Sequence, residues 1–299
     1  MMDLQLDQLD AFVTAVDRGT FEAAARELSV TPSAISQRIK ALEQGVGRVL
    51  LLRTKPITTT TSGETILRLA RAIRLLEHGA ALELHADDGL EPTAPAVIPI
   101  VVNADSLATW ILPVLADIAA VHPIGFDLSR EDQDHSTELL RNGSVMAAVT
   151  SSREAVQGCT VQLLGSMRYR PAASPAFVSR WFTDGVTPEA LAAAPVVVFD
   201  RKDDLQDAYL RRRGIEPARP PRHHVPASAD FAVAVRLGLG WGMLPDAQSG
   251  DWRTSGEVVS LDDAGLLDVP LFWQQWRLHS PLLDVVASAV VDGARGVLR

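Results

Sequence analysis

The chain has 299 residues, 47% of them hydrophobic and 22% charged, which fits two or three globular domains better than one small core. No run of about eighteen apolar residues occurs, and the start MMDLQLDQLDAF is acidic and broken by polar groups, so neither a membrane span nor a signal peptide is expected. The formal charge of -9 argues against nucleic-acid binding over the whole surface, and a single cysteine, Cys159, excludes an internal disulfide, which makes a reducing cytoplasm the expected compartment.

The charge is unevenly spread. Between residues 29 and 62 the basic residues are Arg38, Lys40, Arg48, Arg53 and Lys55, against Glu43 alone, whereas the segment before residue 29 is acidic on balance. A local basic surface on an acidic protein suits phosphate contact. Cys159 has no motif around it and reads as a small structural residue.

Leu6, Leu9, Phe12, Val13 and Val16 recur at three-to-four spacing and predict an amphipathic helix that ends at Gly19. Thr20 is placed to cap a second helix, FEAAARELS, buried through Phe21, Ala24, Ala25 and Leu28. Ser29 and Val30 leave room for only a tight turn. Thr31 then caps a third helix with Pro32 at its first position, where a missing N–H costs nothing, and Ile35, Ile39 and Leu42 share one face of it. Two helices across a tight turn, the second opening on small polar residues, form a helix-turn-helix. The small residues have a reason: the recognition helix enters a major groove about 12 Å wide by its N-terminal end. Ser33, Ser36 and Gln37 project from that end, Thr31 and Pro32 are expected to contact DNA beside them, and Gln37 can contact adenine through two hydrogen bonds. Arg38 and Lys40 suit phosphate, which positions the protein without reading sequence. The following VLLLRTKPITTTTSGE reads as a β-hairpin wing carrying Arg53 and Lys55. A generic three-helix bundle with solvated arginines is the plain alternative.

Residues 6–63, including LDQLDAFVTAVDRGTFEAAARELSVTPSAISQRIKALEQGVGRVLLLRT and the T-x-x-G of TTSG, resemble the DNA-binding domain of LysR-type transcriptional regulators. Where that family usually has Leu-Phe in the wing, this chain has Leu50 and Leu51, which keeps the position apolar. The resemblance implies base-reading positions at Pro32, Ser33, Ser36 and Gln37, and a wing position near the minor groove at Arg53.

From residue 62, SGETILRLARAIRLLEHGAALELHADD is long, free of proline and rich in helix formers. Ile66, Leu69, Ile73, Leu76, Ala80 and Leu84 are expected to line one stripe, with Arg68, Arg71 and Arg74 beside it. Such a stripe must be buried, either against a second copy or against its own domain. In the resembled family this helix forms an antiparallel dimer, which implies dimerisation through Ile66, Leu69, Ile73 and Leu76. The proline- and acid-containing DDGLEPTAPA reads as a hinge or linker.

Beyond residue 96 the texture alternates. VIPIVVN, IGFDLSRED and SVMAAVTS read as strands, and DSLATWILPVLADIAAVHP and HSTELLRNG as helices. A second set follows: APVVVFD, DLQDAYLRRRG, RHHVPA, DFAVAVRLGLG and WGMLP. This predicts two α/β lobes around mostly parallel sheet, a cleft between them and a hinge near residues 169–173. VPLFWQQWRLHS and the last helix, PLLDVVASAVVDGARGVL, are expected to return to the first lobe. The whole resembles the periplasmic-binding-protein-like effector domain of LysR-type regulators. The organisation implied is an α/β chain: winged helix-turn-helix over 1–60, linker helix and hinge over 61–91, and effector domain over 92–299. Lobe I covers about 92–168 plus 269–299, and lobe II about 169–268.

NADSLATW, the acids Glu131 and Asp132, and RNGSVMAAVTS resemble the branch of that family that responds to lysine, arginine or histidine and controls basic amino-acid export and metabolism. In open α/β sheets ligands sit beyond the carboxyl ends of the strands. Candidates there are Asp105, Ser106, Glu131, Asp132, Thr150, Asp200 and Asp230. Backbone amides and the Ser106 hydroxyl can hold a ligand carboxylate. Acids without nearby lysines suit a cationic side chain, and Trp241 can offer a flat or cation–π wall. The plain alternatives are helix caps for Asp105, Ser106 and Asp230, and solvated loop acids for the rest.

No nucleophile elbow, phosphate-binding loop or dinucleotide fingerprint occurs, so no enzyme and no cofactor is expected. His223 and His224 are adjacent and face opposite sides of a strand, so no metal site is expected of them. The expected protein is a regulator that binds double-stranded DNA at an interrupted inverted repeat as a homodimer or homotetramer. It responds to a basic amino acid as an activator, with RNA polymerase as a further partner and no membrane. A regulator of another metabolite and a non-regulatory solute-binding protein are the alternatives.

Overall fold

The computed structural model describes residues 4–86, 95–131 and 133–299; most of the expected hinge and Asp132 lie outside them. The head follows the expected order: α1 (Leu6–Arg18), α2 (Phe21–Glu27), α3 (Pro32–Val46), then the wing strands β1 (Leu51–Leu52) and β2 (Thr58–Thr59), paired antiparallel. The caps form as the sequence requires. Thr20 Oγ1 accepts from the Ala23 amide and Thr31 Oγ1 from the Ala34 amide, each at 3.1 Å. Phe12, Ile35, Leu42, Leu50 and Leu67 are fully buried at the centre of the head.

The linker helix α4 (Thr61–Ala86) starts where Thr60 Oγ1 accepts from the Gly63 amide. A Cβ at Gly63 would lie 2.0 Å from the Leu50 carbonyl oxygen, so glycine at this point of the T-x-x-G lets the helix seat on the wing. The α4 side chains part into two stripes. Ile66 is 4% exposed inside the head core and Ile73 packs against that core, because positions 66, 70 and 73 turn inward together. This corrects the expected dimer set. Leu69 and Leu76 face outward, with Leu84 on the same side at 72% exposure.

The second half is built on β3 (Ala96–Val102), β4 (Ile124–Arg130), β5 (Ala147–Thr150), β6 (Cys159–Ala173), β9 (Gly242–Pro245), β10 (Val259–Ser260) and β11 (Leu267–Trp276). They form one sheet in the order β10-β6-β11-β5-β3-β4, with β9 also paired to β6. β3 runs parallel to β4 and β5, but β11 and β6 are antiparallel to their neighbours. Within this sheet the mostly parallel expectation therefore fits only β5, β3 and β4. Residues 169–173 are the end of β6 and not a loop hinge; β6 and β11 together carry the chain between lobes. A second pair, β7 (Val196–Val198) with β8 (Arg222–His224), is parallel.

Helices cover the sheets: α5 (Ala104–Thr109), α6 (Ile111–Val121) and α7 (Gln133–Asn142) in lobe I, joined by the terminal α13 (Pro281–Arg295). In lobe II they are α8 (Pro175–Trp181), α9 (Pro188–Ala193), α10 (Leu205–Arg212), α11 (Ser228–Arg236) and α12 (Asp246–Thr254). The single helix expected after β3 is broken at Trp110. Pro113 explains the break, since it cannot donate to the Thr109 carbonyl and its ring crowds that group.

Three arginines bind α4 to both halves. Arg74 donates to Asp10 at 2.6 Å and to Thr14 Oγ1 at 2.9 Å. Arg71, 9% exposed, bonds Asp17 of α1 and the carbonyls of Gly143, at 2.7 Å, and Ser144 after α7. Arg68 reaches the Arg141 carbonyl. Gly143 has a φ of +83°, and a Cβ there would meet the Arg68 side chain at 2.6 Å, so this turn needs glycine on both counts. Among the described residues no helix is long and apolar enough to cross a membrane.

Candidate functional site

The outer face of α3 is the first site. Pro32, Ser33, Gln37 and Lys40 are exposed and Ser36 half-buried, while Ile35, Ile39 and Leu42 anchor the opposite face. Positions 33, 36, 37 and 40 fall on one helical stripe, so the helix can offer them together to a groove. Thr31 is also exposed, but its hydroxyl oxygen is spent on capping. Arg38 forms an exposed pair with Asp7 at 3.2 Å, a contact that phosphate can replace. Arg53 and Lys55 are exposed on the wing, with the Arg53 guanidinium 5.9 Å from the centre of the Phe21 ring. Glu43, the lone acid of the basic segment, is turned inward and accepts from the Leu50 and Leu51 amides at 2.8 and 3.3 Å. The surface presented by α3 and the wing is thereby left positive.

The second site is a cavity of about 400 Å³ between the lobes, at the carboxyl ends of β3, β4 and β7. Asp105 is its central group. One carboxylate oxygen accepts from the Tyr169 hydroxyl on β6 and the other from the Ser228 hydroxyl at the start of α11, both at 2.6 Å. A lobe I side chain thus joins the crossover strand and lobe II. Asp105 does not cap its helix. Burial, with Asp105 beside it, pushes the Tyr169 hydroxyl well above its ordinary pKa, so it remains a donor.

Asp200 and Asp203 enter from the loop after β7. Asp200 Oδ1 accepts from the amides of Lys202 and Asp203, and Asp203 accepts from those of Phe199 and Leu205. Burial raises the Asp203 pKa above the usual carboxylate value, and the charges of Asp105 and Asp200 push it the same way. Among the described residues none of these three acids has an ion-pair partner. Glu131 is exposed and lines the cavity, as do Arg130 and Lys202, so the acids do have basic neighbours. Phe199, Phe231 and Met243 supply an apolar wall.

Four expected effector residues are not on the cavity wall. Trp241 is wholly buried and packs edge-on against Tyr209, with ring centres 5.5 Å apart. Thr150 is 1% exposed, and its hydroxyl oxygen accepts from the Ser152 amide at 3.2 Å. Ser106 is buried within α5 without a partner for its hydroxyl. Asp230 is exposed on α11 outside the cavity, while the next residue, Phe231, lines it, about 100° further round the helix. Asp132 lies outside the described residues.

Sequence reasoning missed Asn103, Tyr169, Asp203, Gln206 and Phe231 on the wall, and Ser228 behind it. The run of charges after β7 contained the signal for Asp203, and NADS contained Asn103. Tyr169 and Ser228 carried none, because their value comes from contact with Asp105 across long chain separations. Cys159 is 2% exposed, and burial pushes its thiol up to about 11.

Two family models match the chain: the bacterial regulatory helix-turn-helix protein of the lysR family over residues 6–64, and the LysR substrate binding domain over residues 97–295. The HTH-type transcriptional regulator LysG of Mycobacterium tuberculosis is 46% identical, over 100% of this chain and 97% of its own length. The crystal structure of ArgP from Mycobacterium tuberculosis superposes with a TM-score of 0.83 at 45% identity, covering 99% of each chain. Full-length LysG from Corynebacterium glutamicum with bound effector Arg gives a TM-score of 0.76 at 40% identity, over 99% of this chain and 100% of that one.

Proposed function

This chain belongs to the LysR family of bacterial DNA-binding transcriptional regulators, and on that premise we propose that its cleft senses a basic amino acid, arginine or lysine, and that the bound form activates an amino-acid export gene. One observation carries the effector reading: Asp105 from lobe I and Asp200 and Asp203 from lobe II converge on one cavity, and no cation pairs with them among the described residues. Three carboxylates sharing a partly buried site repel one another, and a bound cation relieves that repulsion. The apolar wall of Phe199, Phe231 and Met243 suits the methylene chain of such a ligand. The effector of the Corynebacterium glutamicum relative, arginine, has this chemistry.

A ligand shifts a conformational equilibrium only by binding one arrangement better than another. A cation between lobe I and lobe II acids favours the closed arrangement. Closure moves α7 relative to β6, and the α7 end is fastened to α4 and α1 through Arg68 and Arg71. The α4 stripe of Leu69, Leu76 and Leu84 pairs with a second copy, and the resulting dimer, or a tetramer of such dimers, places twin α3 helices on an interrupted inverted repeat. Base reading falls to Pro32, Ser33, Ser36 and Gln37, and phosphate contact to Arg38, Lys40, Arg53 and Lys55. RNA polymerase is the further partner of the activated form. The protein acts in the cytoplasm and catalyses no reaction. The working boundaries are 1–60, 61–91 and 92–299.

Thermal unfolding of the full chain against each common amino acid tests the effector reading. Arginine or lysine raises the midpoint and neutral amino acids of similar length do not; a panel without any basic amino-acid shift refutes it.

A further inference from the structure

Among the described residues, two buried amide oxygens at the cavity are left without donors, and they come from opposite lobes. Gln206 on α10 is 1% exposed and lines the cavity, and its buried Oε1 has no partner. Asn103 closes β3 in lobe I. It stands at the N-cap of α5, where an asparagine side chain usually accepts from a helix amide, but here it makes no such bond and its buried Oδ1 is also unpaired. A buried amide oxygen without a donor costs stability. If α10 needed only packing at this position, leucine or methionine would fill it without that cost, as the apolar neighbours Tyr209 and Leu210 do.

Two of the three carboxylates do not share this condition, and the third, Asp200, takes both its amides on Oδ1. Asp105 takes a hydroxyl donor on each oxygen, and Asp203 a backbone amide on each. The acids supply the negative field, whereas the buried acceptors without a donor are the two amide oxygens.

We propose that Gln206 is a specificity-determining residue that accepts a hydrogen bond from the cationic end of the effector, with Asn103 accepting from the same group on the lobe I side. This rests on reading the cavity as the effector site. It extends that reading by naming the ligand class favoured: a guanidinium. Its five N–H donors spread over a planar fork and reach acceptors on both walls at once, whereas the three donors of an ammonium diverge from one atom. The cavity therefore prefers arginine to lysine.

Calorimetric titration of the full-length protein with arginine and with lysine tests this, using Gln206→Met and Gln206→Glu. Wild type binds arginine more tightly than lysine. Gln206→Met keeps the side-chain length but loses the acceptor, so arginine affinity falls by roughly ten- to a hundred-fold, and lysine affinity by less. Gln206→Glu restores an acceptor and brings arginine to within a few-fold of wild type. Ligand-free Gln206→Met unfolds at the same temperature as wild type or higher, because a buried oxygen without a donor has been removed. Unchanged arginine affinity in Gln206→Met, no recovery in Gln206→Glu, or a clearly less stable ligand-free Gln206→Met each overturns the assignment. Wild type that binds neither amino acid overturns the effector reading itself, before any substitution is made.

Discussion

Replacing Arg71 by methionine removes a buried side chain that ties α1 of the DNA-binding head to the turn after α7 of lobe I. In the structure its guanidinium meets the Asp17 carboxylate of α1 and two carbonyls, Gly143 and Ser144, at the end of α7. Hydrogen bonds to charged groups contribute about 1.5–3 kcal/mol each, which for three contacts sums to more than the site can lose. Asp17 is 35% exposed and regains water, and the two carbonyls border a turn that water can enter. We therefore expect a loss of about 3 kcal/mol, near the low end for breaking a buried pair. Methionine keeps most of the packing volume, so the loss is mainly polar. The assay is hydrogen exchange on the full chain. Amides at Val145 and Met146, bonded to the Leu139 and Pro99 carbonyls, report opening of this turn, and those of α1 report the head. A change of about 3 kcal/mol in local opening speeds their exchange by roughly a hundred-fold. Effector binding should persist while its influence on DNA affinity weakens. Unchanged exchange in both segments would refute the strut, and so would full retention of effector-dependent DNA binding.

Five other substitutions probe DNA reading, dimerisation and the cleft acids. Gln37→Ala should cost about 1–3 kcal/mol on the specific operator and relax base preference, whereas Lys40→Ala should weaken all duplexes alike and lower the salt slope by about one; competition binding at several salt concentrations distinguishes them. Leu76→Glu places a charge on the outward stripe of α4 and should yield monomers in sedimentation, while Ile66→Glu should unfold the head instead. The Asp203 pKa lies above the ordinary carboxylate value because of burial and its acid neighbours. As pH falls through that raised value, the folded protein takes up a proton that the unfolded chain does not yet hold, so ligand-free stability rises, while affinity for a cationic effector falls. Asp203→Asn should flatten both profiles in paired unfolding and calorimetric titrations.

The head was legible because its signals are local. A three-to-four period, two threonine caps, a proline at N1 and a glycine stop each act within a few residues of the helix they define. The short buried strands β3, β5, β7 and β9 were legible for the same reason, as apolar runs between polar turns. β6 was not, because its edges change partner along its length, from β11 to β9 and β10, and every partner lies about seventy residues or more away. The α4 stripe was read as one surface because Ile66 and Leu69 both fit a loose helical period; only the seating of α4 on the wing shows which turns inward. In the cleft, Asp105 and Asp200 were found from strand ends. Trp241 and Thr150 also sit at strand ends, but their side chains point into the core. The importance of Tyr169 and Ser228 comes from a shared contact with Asp105, which no spacing rule encodes.

The central claim is that α3 reads DNA under control of a ligand held between the lobes. Footprinting of the full chain on the DNA flanking its own gene, with and without arginine or lysine, tests it most directly. The account predicts two protected half-sites about one helical turn or a multiple of it apart, with protection that changes when the amino acid is added and needs more protein in Gln37→Ala. Protection no stronger than on a scrambled duplex, or a footprint indifferent to both amino acids, would contradict it.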